Sequence, residues 1–164
     1  MAAPVRSIAA AIRVSGLANI KAPRIRNILR QIREECGELS LDFLHHTPVE
    51  EAKEYLRQFK GVGDKTIACV LLFACGKPVF PVDTHVLRVS KRLWLTPGKT
   101  NAERAHEFLQ GVVPRDLTYS FHVLLIIHGR RTCHARSPEC PRCAIRRYCG
   151  WYATGRLREG EGGA

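Results

Sequence analysis

Four cysteines crowd into one short stretch, Cys133-x6-Cys140-x2-Cys143-x5-Cys149, punctuated by Pro138, Pro141 and Gly150. Four thiolates so close in sequence can close around one metal centre. Either a structural zinc or a [4Fe–4S] cluster satisfies them, and spacing alone does not choose between the two. The chain holds seven cysteines, an odd number, and Arg6 and Arg13 break up its only apolar start, so no secretory signal is read. That combination points to a reducing compartment in which the cysteines hold metal rather than disulfides. Arg130, Arg131, Arg136, Arg142, Arg146 and Arg147 decorate the same region against a single acid, Glu139. The loop therefore reads as a metal-stapled platform for phosphates, adding affinity and salt dependence rather than chemistry. A sensor or electron carrier would also use such cysteines, but would leave the next two motifs unexplained.

The first of these is Phe59-Lys60-Gly61-Val62-Gly63, a tight turn between two helical patterns. Glycines allow backbone conformations closed to other residues and let a ligand approach. The following helix then presents free N–H groups to an anion such as a backbone phosphate, gripping it without reading sequence. Lys65 and Thr66 fall in its first turn. A lysine there sits against the helix dipole, which disfavours its charged form, and partial burial would add to the effect. The product is an amine available for nucleophilic attack. The plainer alternative is an exposed lysine that only adds to a basic surface.

The second motif is Val82-Asp83-Thr84-His85, which follows Pro78 and Pro81 and opens a helix. As an N-cap, Asp83 holds its carboxylate ionised through backbone N–H groups. Facing Lys65 across a cleft, it could support positive charge on a sugar ring or accept a proton. His85 and His128 read as hydrogen-bonded structural residues rather than catalysts.

The elements that must position these groups are helical. Val5, Ile8, Ala9 and Ile12 mark one face of a first helix stopped near Gly16. A second has Pro23 near its start, Ile25, Ile28, Leu29 and Ile32 inward, and its end by Gly37. Thr47-Pro48-Val49-Glu50 caps a third, to about Gln58. Asp64 opens a helix through Cys75, Asp83 one reaching Trp94, and Thr100 caps the next. Asp116 begins a last helix with Leu117, Phe121, Leu124, Leu125 and Ile127 apolar. No strand and no internal repeat are read. The expected class is all-α, with a helical domain at 1–128 containing the hairpin near 55–76, a cluster loop at 129–150, and a tail at 151–164 that frays from Gly155.

At 164 residues, 45% apolar and 25% charged, the composition is that of an ordinary globular domain. No apolar run approaches membrane-span length. The net charge of +11 points to a polyanionic partner, nucleic acid before an anionic membrane surface. Residues 1–33 carry seven Lys and Arg and no acid. An organellar transit peptide has that composition, but here the stretch continues into helical patterning that belongs to the fold.

Together these segments resemble the endonuclease III family of helix-hairpin-helix DNA glycosylases, over nearly the whole chain. Gly61-Val62-Gly63-Asp64-Lys65-Thr66 is similar to the family's hairpin, and Val82-Asp83-Thr84-His85-Val86-Leu87-Arg88-Val89 to its catalytic-aspartate segment. Leu125-Ile126-Ile127-His128-Gly129-Arg130-Arg131-Thr132-Cys133 resembles the helix end that feeds its cluster. The resemblance implies a [4Fe–4S] cluster on Cys133, Cys140, Cys143 and Cys149, zinc being the alternative. It implies Lys65 as nucleophile and Asp83 as essential carboxylate. It also implies duplex DNA as partner, contacted by Gly61, Val62, Gly63, Thr66, His85, Arg130, Arg136 and Arg142. The implied reaction is excision of oxidised or damaged pyrimidines with β-elimination at the abasic site. It would be carried out by a monomer without membrane contact, in the nucleoid-associated cytoplasm if the source is prokaryotic. A lysine at position 65 argues against the adenine-specific mismatch branch. Two departures are visible: Phe59-Lys60 stands where the family has Leu-Pro, and the chain begins where the family is several helices along. A misassigned start at Met1 or a truncated or divergent form accounts for this, and exposed apolar faces on the first helices are expected if the chain stands alone. A non-catalytic DNA-binding module of the same fold is the competing reading.

Overall fold

A computed structural model of the chain describes residues 3–154, so the tail from Gly155 lies outside the described residues. Among the described residues every regular element is helical. The described residues form two compact units, one up to Gly63 and one from Asp64, divided at the hairpin.

In the first unit, α1 (Val5–Ala11) packs on α2 (Ala18–Cys36), and α3 (Val49–Arg57) follows a 3-10 turn at Asp42–His45. Pro23 sits inside α2 rather than at its start. Its missing N–H leaves one intrahelical bond unmade. Gly37, at φ 77°, closes the helix with its N–H on the Arg33 carbonyl. Only Ala22 and Ile32 of α2 are buried, and Leu29, read as inward, is exposed. Val14, Leu17 and Ile20 are exposed as well. Leu44, Ala52, Leu56 and Phe59 are buried, and Tyr55 meets Phe43 and Phe59 edge-on at centroid distances of 5.0 and 5.5 Å. Helix α3 begins at Val49 with Pro48 in the cap position, one residue past the expected Thr47, whose hydroxyl donates to the Phe43 carbonyl.

The second unit opens with α4 (Asp64–Cys69), which does not run on to Cys75: the chain widens into a π-helical turn at Val70–Ala74. The Cys75 N–H reaches back to the Val70 carbonyl, and Leu71 and Leu72 turn inward while Phe73 stays half exposed. After an extended link come α5 (Thr84–Arg92), α6 (Ala102–Val112) and α7 (Thr118–Arg131), around a core of Phe80, Val82, Val86, Val89, Leu109 and Leu125. Asn101 rather than Thr100 caps α6, its side chain accepting the Arg104 N–H at 3.0 Å. Thr100 is instead buried in the preceding turn, its N–H on the Pro97 carbonyl.

The buried stripe of α7 is Thr118, His122, Leu125 and Gly129, whereas Leu124 and Ile127 face outward. At Gly129 α7 lies close against α5: a Cβ there would lie 3.0 Å from that of His85. Residues 140–142 and 146–148 form single 3-10 turns. A short α8 (Gly150–Ala153) occupies the first positions of the expected tail.

Candidate active site and cysteine pocket

Of the hairpin glycines, Gly61 is the one whose backbone demands the residue type. Its φ is 93°, and an added Cβ would meet the Arg24 side chain at 2.9 Å. Gly63 has no such constraint: a Cβ there would meet nothing within 4 Å. The Val62 N–H closes the turn on the Phe59 carbonyl at 3.0 Å. Beyond the turn, Lys65 and Thr66 are both exposed. The partial burial considered for Lys65 is not found.

Asp83 stands at the N-cap of α5, half-buried, its carboxylate accepting the Val86 N–H at 2.8 Å. What places it there is the extended link before it, whose polar backbone has no ladder or helix to satisfy it. Three side chains do so. Gln110 accepts the Phe80 N–H and donates to the Pro78 carbonyl, both at 2.8 Å. His106 Nδ1 donates to the Phe80 carbonyl at 2.6 Å, and His122 Nδ1 to the Pro81 carbonyl at 2.9 Å. A carbonyl only accepts, so both rings carry their proton on Nδ1. The His122 ring is buried edge-on against Phe73 and Phe80, with centroids at 5.5 and 5.8 Å.

Lys65 and Asp83 act on the same two neighbours. Burial holds the His122 imidazole below its usual range. The hydrogen bond to Pro81 and the Asp83 carboxylate oppose that shift, and the Lys65 ammonium adds to it. Burial pushes the Cys69 thiol up; the Lys65 charge counteracts this and the Asp83 charge reinforces it. Cation and carboxylate thus share one neighbourhood within the second unit, each at the start of its own helix. That pairing could attack an electrophilic carbon and stabilise the charge that develops.

The four clustered cysteines line a single cavity together with Val89, Arg92, His128 and Trp151. Cys133 and Cys140 are buried, and Cys143 and Cys149 are half-buried. Burial pushes the Cys140 and Cys143 thiols up, and neighbouring thiols push the same way. Two arginines of α5 fasten the loop to the core. Arg88 donates through Nε to the Cys133 carbonyl at 3.0 Å and through Nη2 to the Gly129 carbonyl at 2.9 Å. Arg92 donates through Nη1 to the Cys133 sulfur at 3.2 Å and to the His134 carbonyl at 2.6 Å. Its Nη2 reaches the Ala135 carbonyl at 3.1 Å. All of these bonds lie within the second unit.

The remaining sequence candidates divide. Arg130 and Arg136 are exposed. Arg142 is exposed but paired with Glu139 at 3.0 Å. His85 is half-buried, its Nδ1 3.0 Å from Arg88 Nη2, which makes it a neighbour of the loop fastening. Sequence reasoning missed Arg88, Arg92, His106, Gln110 and His122. Their partners lie from 26 to 45 residues away, so no local signal carries them.

Residues 1–115 match the HhH-GPD superfamily of base excision DNA repair proteins, a stretch that includes the hairpin and α5 but not the cysteine loop. A relative in Arabidopsis thaliana, named for DNA glycosylase chemistry, is 42% identical over 76% of this chain and 43% of its own length. Endonuclease III of Sulfolobus acidocaldarius is 36% identical over 92% of this chain and 65% of its length. Endonuclease III of Escherichia coli strain K12 is 39% identical over 88% and 64%. The chain thus spans less than two thirds of these relatives. The solved structure of a non-covalent Endonuclease III–DNA complex superimposes with a TM-score of 0.77, at 30% identity over 96% of this chain and 69% of that one. This chain belongs to the HhH-GPD superfamily of base excision DNA repair proteins.

Proposed function

We propose that the chain is a DNA glycosylase with abasic-site lyase activity, acting on oxidised or otherwise damaged pyrimidines in duplex DNA. The observation that carries this reading is the shared neighbourhood of Lys65 and Asp83, both of whose charges act on Cys69 and on His122. A damaged nucleotide is extruded from the stack to expose its sugar. The Lys65 amine attacks C1′ as the base departs, and Asp83 supports the positive charge on the sugar and helps take the amine proton. The resulting Schiff base between Lys65 and C1′ permits β-elimination of the 3′ phosphate. The exposed Arg130 and Arg136 and the hairpin Gly61–Gly63 with Thr66 supply phosphate contacts; these position the duplex and make binding salt-dependent. A reducing, DNA-containing compartment suits thiols held for metal.

The cysteine pocket fits a [4Fe–4S] cluster better than a single zinc. One zinc with bonds of about 2.3 Å would draw its four sulfurs to about 3.8 Å apart. Among the described residues no three His, Cys, Asp or Glu side chains converge in a way that could hold one ion. Four thiols lining a common cavity, two buried and two half-buried, suit a larger centre held by all four sulfurs. Cys133, Cys140, Cys143 and Cys149 would hold the cluster. When bound, it supplies a rigid cross-link that shapes the basic loop.

The test is incubation with a duplex carrying one oxidised pyrimidine. Scission at the lesion, leaving a β-elimination terminus, is expected. Salt-sensitive binding without scission at protein excess would replace the enzyme with a DNA-binding module of the same fold.

A further inference from the structure

Arg92 and Trp151 are a donor pair that, we propose, hydrogen-bonds to sulfur of the centre held by the cysteine pocket, fixing how tightly that centre is kept. The inference rests on the iron–sulfur reading above and goes beyond it by assigning a role to two residues that are not cysteines. Arg92 is 9% exposed on the inner face of α5. Its guanidinium makes its hydrogen bonds to the Cys133 sulfur and to the His134 and Ala135 carbonyls, and no carboxylate among the described residues pairs with it. A buried cation without a counter-charge is costly. Here the negative charge must come from the thiolates that line the same pocket, the Cys133 sulfur among them.

Trp151 supplies the second half. It lines the same cavity as the four cysteines, its ring stacks under Arg92 with the guanidinium carbon 4.8 Å from the centroid, and its indole N–H is buried with no hydrogen-bond acceptor among the described residues. Buried indole N–H groups ordinarily find a partner. Sulfur in the cavity is the acceptor on offer, and the indole is donor-only. The cation fixes the ring, the ring covers the cation, and both donors belong to the wall of one pocket. Hydrogen bonds to the sulfurs of such a centre stabilise its more negative state and help to hold it.

The test compares wild-type holoprotein with Trp151→Phe, which keeps an aromatic ring for Arg92 and loses the N–H. Iron and acid-labile sulfide are counted first; a wild type containing neither overturns the cluster reading and this inference with it. With loaded protein, release of iron to a ferrous chelator is followed optically, and the reduction potential by film voltammetry. Release on the order of 10-fold faster and a lowered potential are expected in Trp151→Phe at an unchanged thermal midpoint. Arg92→Lys, which keeps the charge but not the fork, should also release iron faster, and it serves as the readout if Trp151→Phe does not fold. Loaded variants indistinguishable from wild type in both release and potential would overturn the donor pair while leaving the cluster reading standing.

Discussion

Asp83 carries two functions that substitution can separate. The structure gives it a cap hydrogen bond, from the Val86 N–H at 2.8 Å, and a charge felt at Cys69 and His122. Asp83→Ala removes both. Loss of such a cap costs about 0.5–2 kcal/mol, and each kcal/mol lowers the midpoint by about 2–4 °C in a chain of this size. Asp83→Asn keeps an oxygen acceptor for the Val86 N–H and loses only the favourable placement of a negative charge at a helix start, about 0.3–1 kcal/mol. Stability should therefore fall in the order Asp, Asn, Ala. Activity should not follow that order. If the carboxylate supports a developing cation or takes a proton, Asn and Ala are equally poor, each down by about 10²-fold or more. The assays are thermal unfolding by circular dichroism and single-turnover scission of an abasic duplex. Scission tracking stability, with Asp83→Asn near wild type, would reduce Asp83 to a helix cap and refute the assignment.

Gly150 packs beneath the Trp94 ring so closely that an added Cβ would lie 2.0 Å from Cδ2. Gly150→Ala should cost about 1–3 kcal/mol by overpacking, seen as a lowered thermal midpoint; an unchanged midpoint contradicts the packing. Because burial depresses the His122 pKa, its unfolded state binds the proton more readily, so His122 contributes stability above the ordinary imidazole range that is lost as pH falls through its lowered pKa. His122→Gln should flatten the decline in thermal midpoint between pH 7 and pH 5, and an equally steep decline would show that the ring does not titrate as described. Arg136 is exposed. If it contacts a phosphate, Arg136→Ala should lower the slope of log affinity against log salt by about 0.9, a change that fluorescence anisotropy can resolve.

Much of this architecture was legible from local rules. Asp83 announces itself as a cap because an aspartate follows two chain-extending prolines and precedes an apolar-periodic run, and local hydrogen bonding is all that a cap needs. The cysteine loop announces itself by spacing. What stayed hidden depends on partners distant in sequence. Arg88 and Arg92 lie on α5, yet what holds them is the loop after α7, which offers them carbonyls and a sulfur. His122 sits in the buried stripe of α7, where its ring donates to the Pro81 carbonyl, a partner 41 residues away. Leu124 and Ile127, named only as apolar residues of the last helix, face outward by helical phase. The departure of Val70–Ala74 into a π-helical turn has no marker in an apolar run that suits an α-helix equally well.

The most direct test of the account is reductive trapping. Loaded protein is mixed with a duplex carrying one abasic site in the presence of borohydride, and covalent complexes are resolved on a denaturing gel. The account predicts a trapped species with the wild type and none with Lys65→Ala of matching thermal midpoint and cluster content. Absence of a covalent complex with the wild type, or equal trapping by Lys65→Ala, would contradict it.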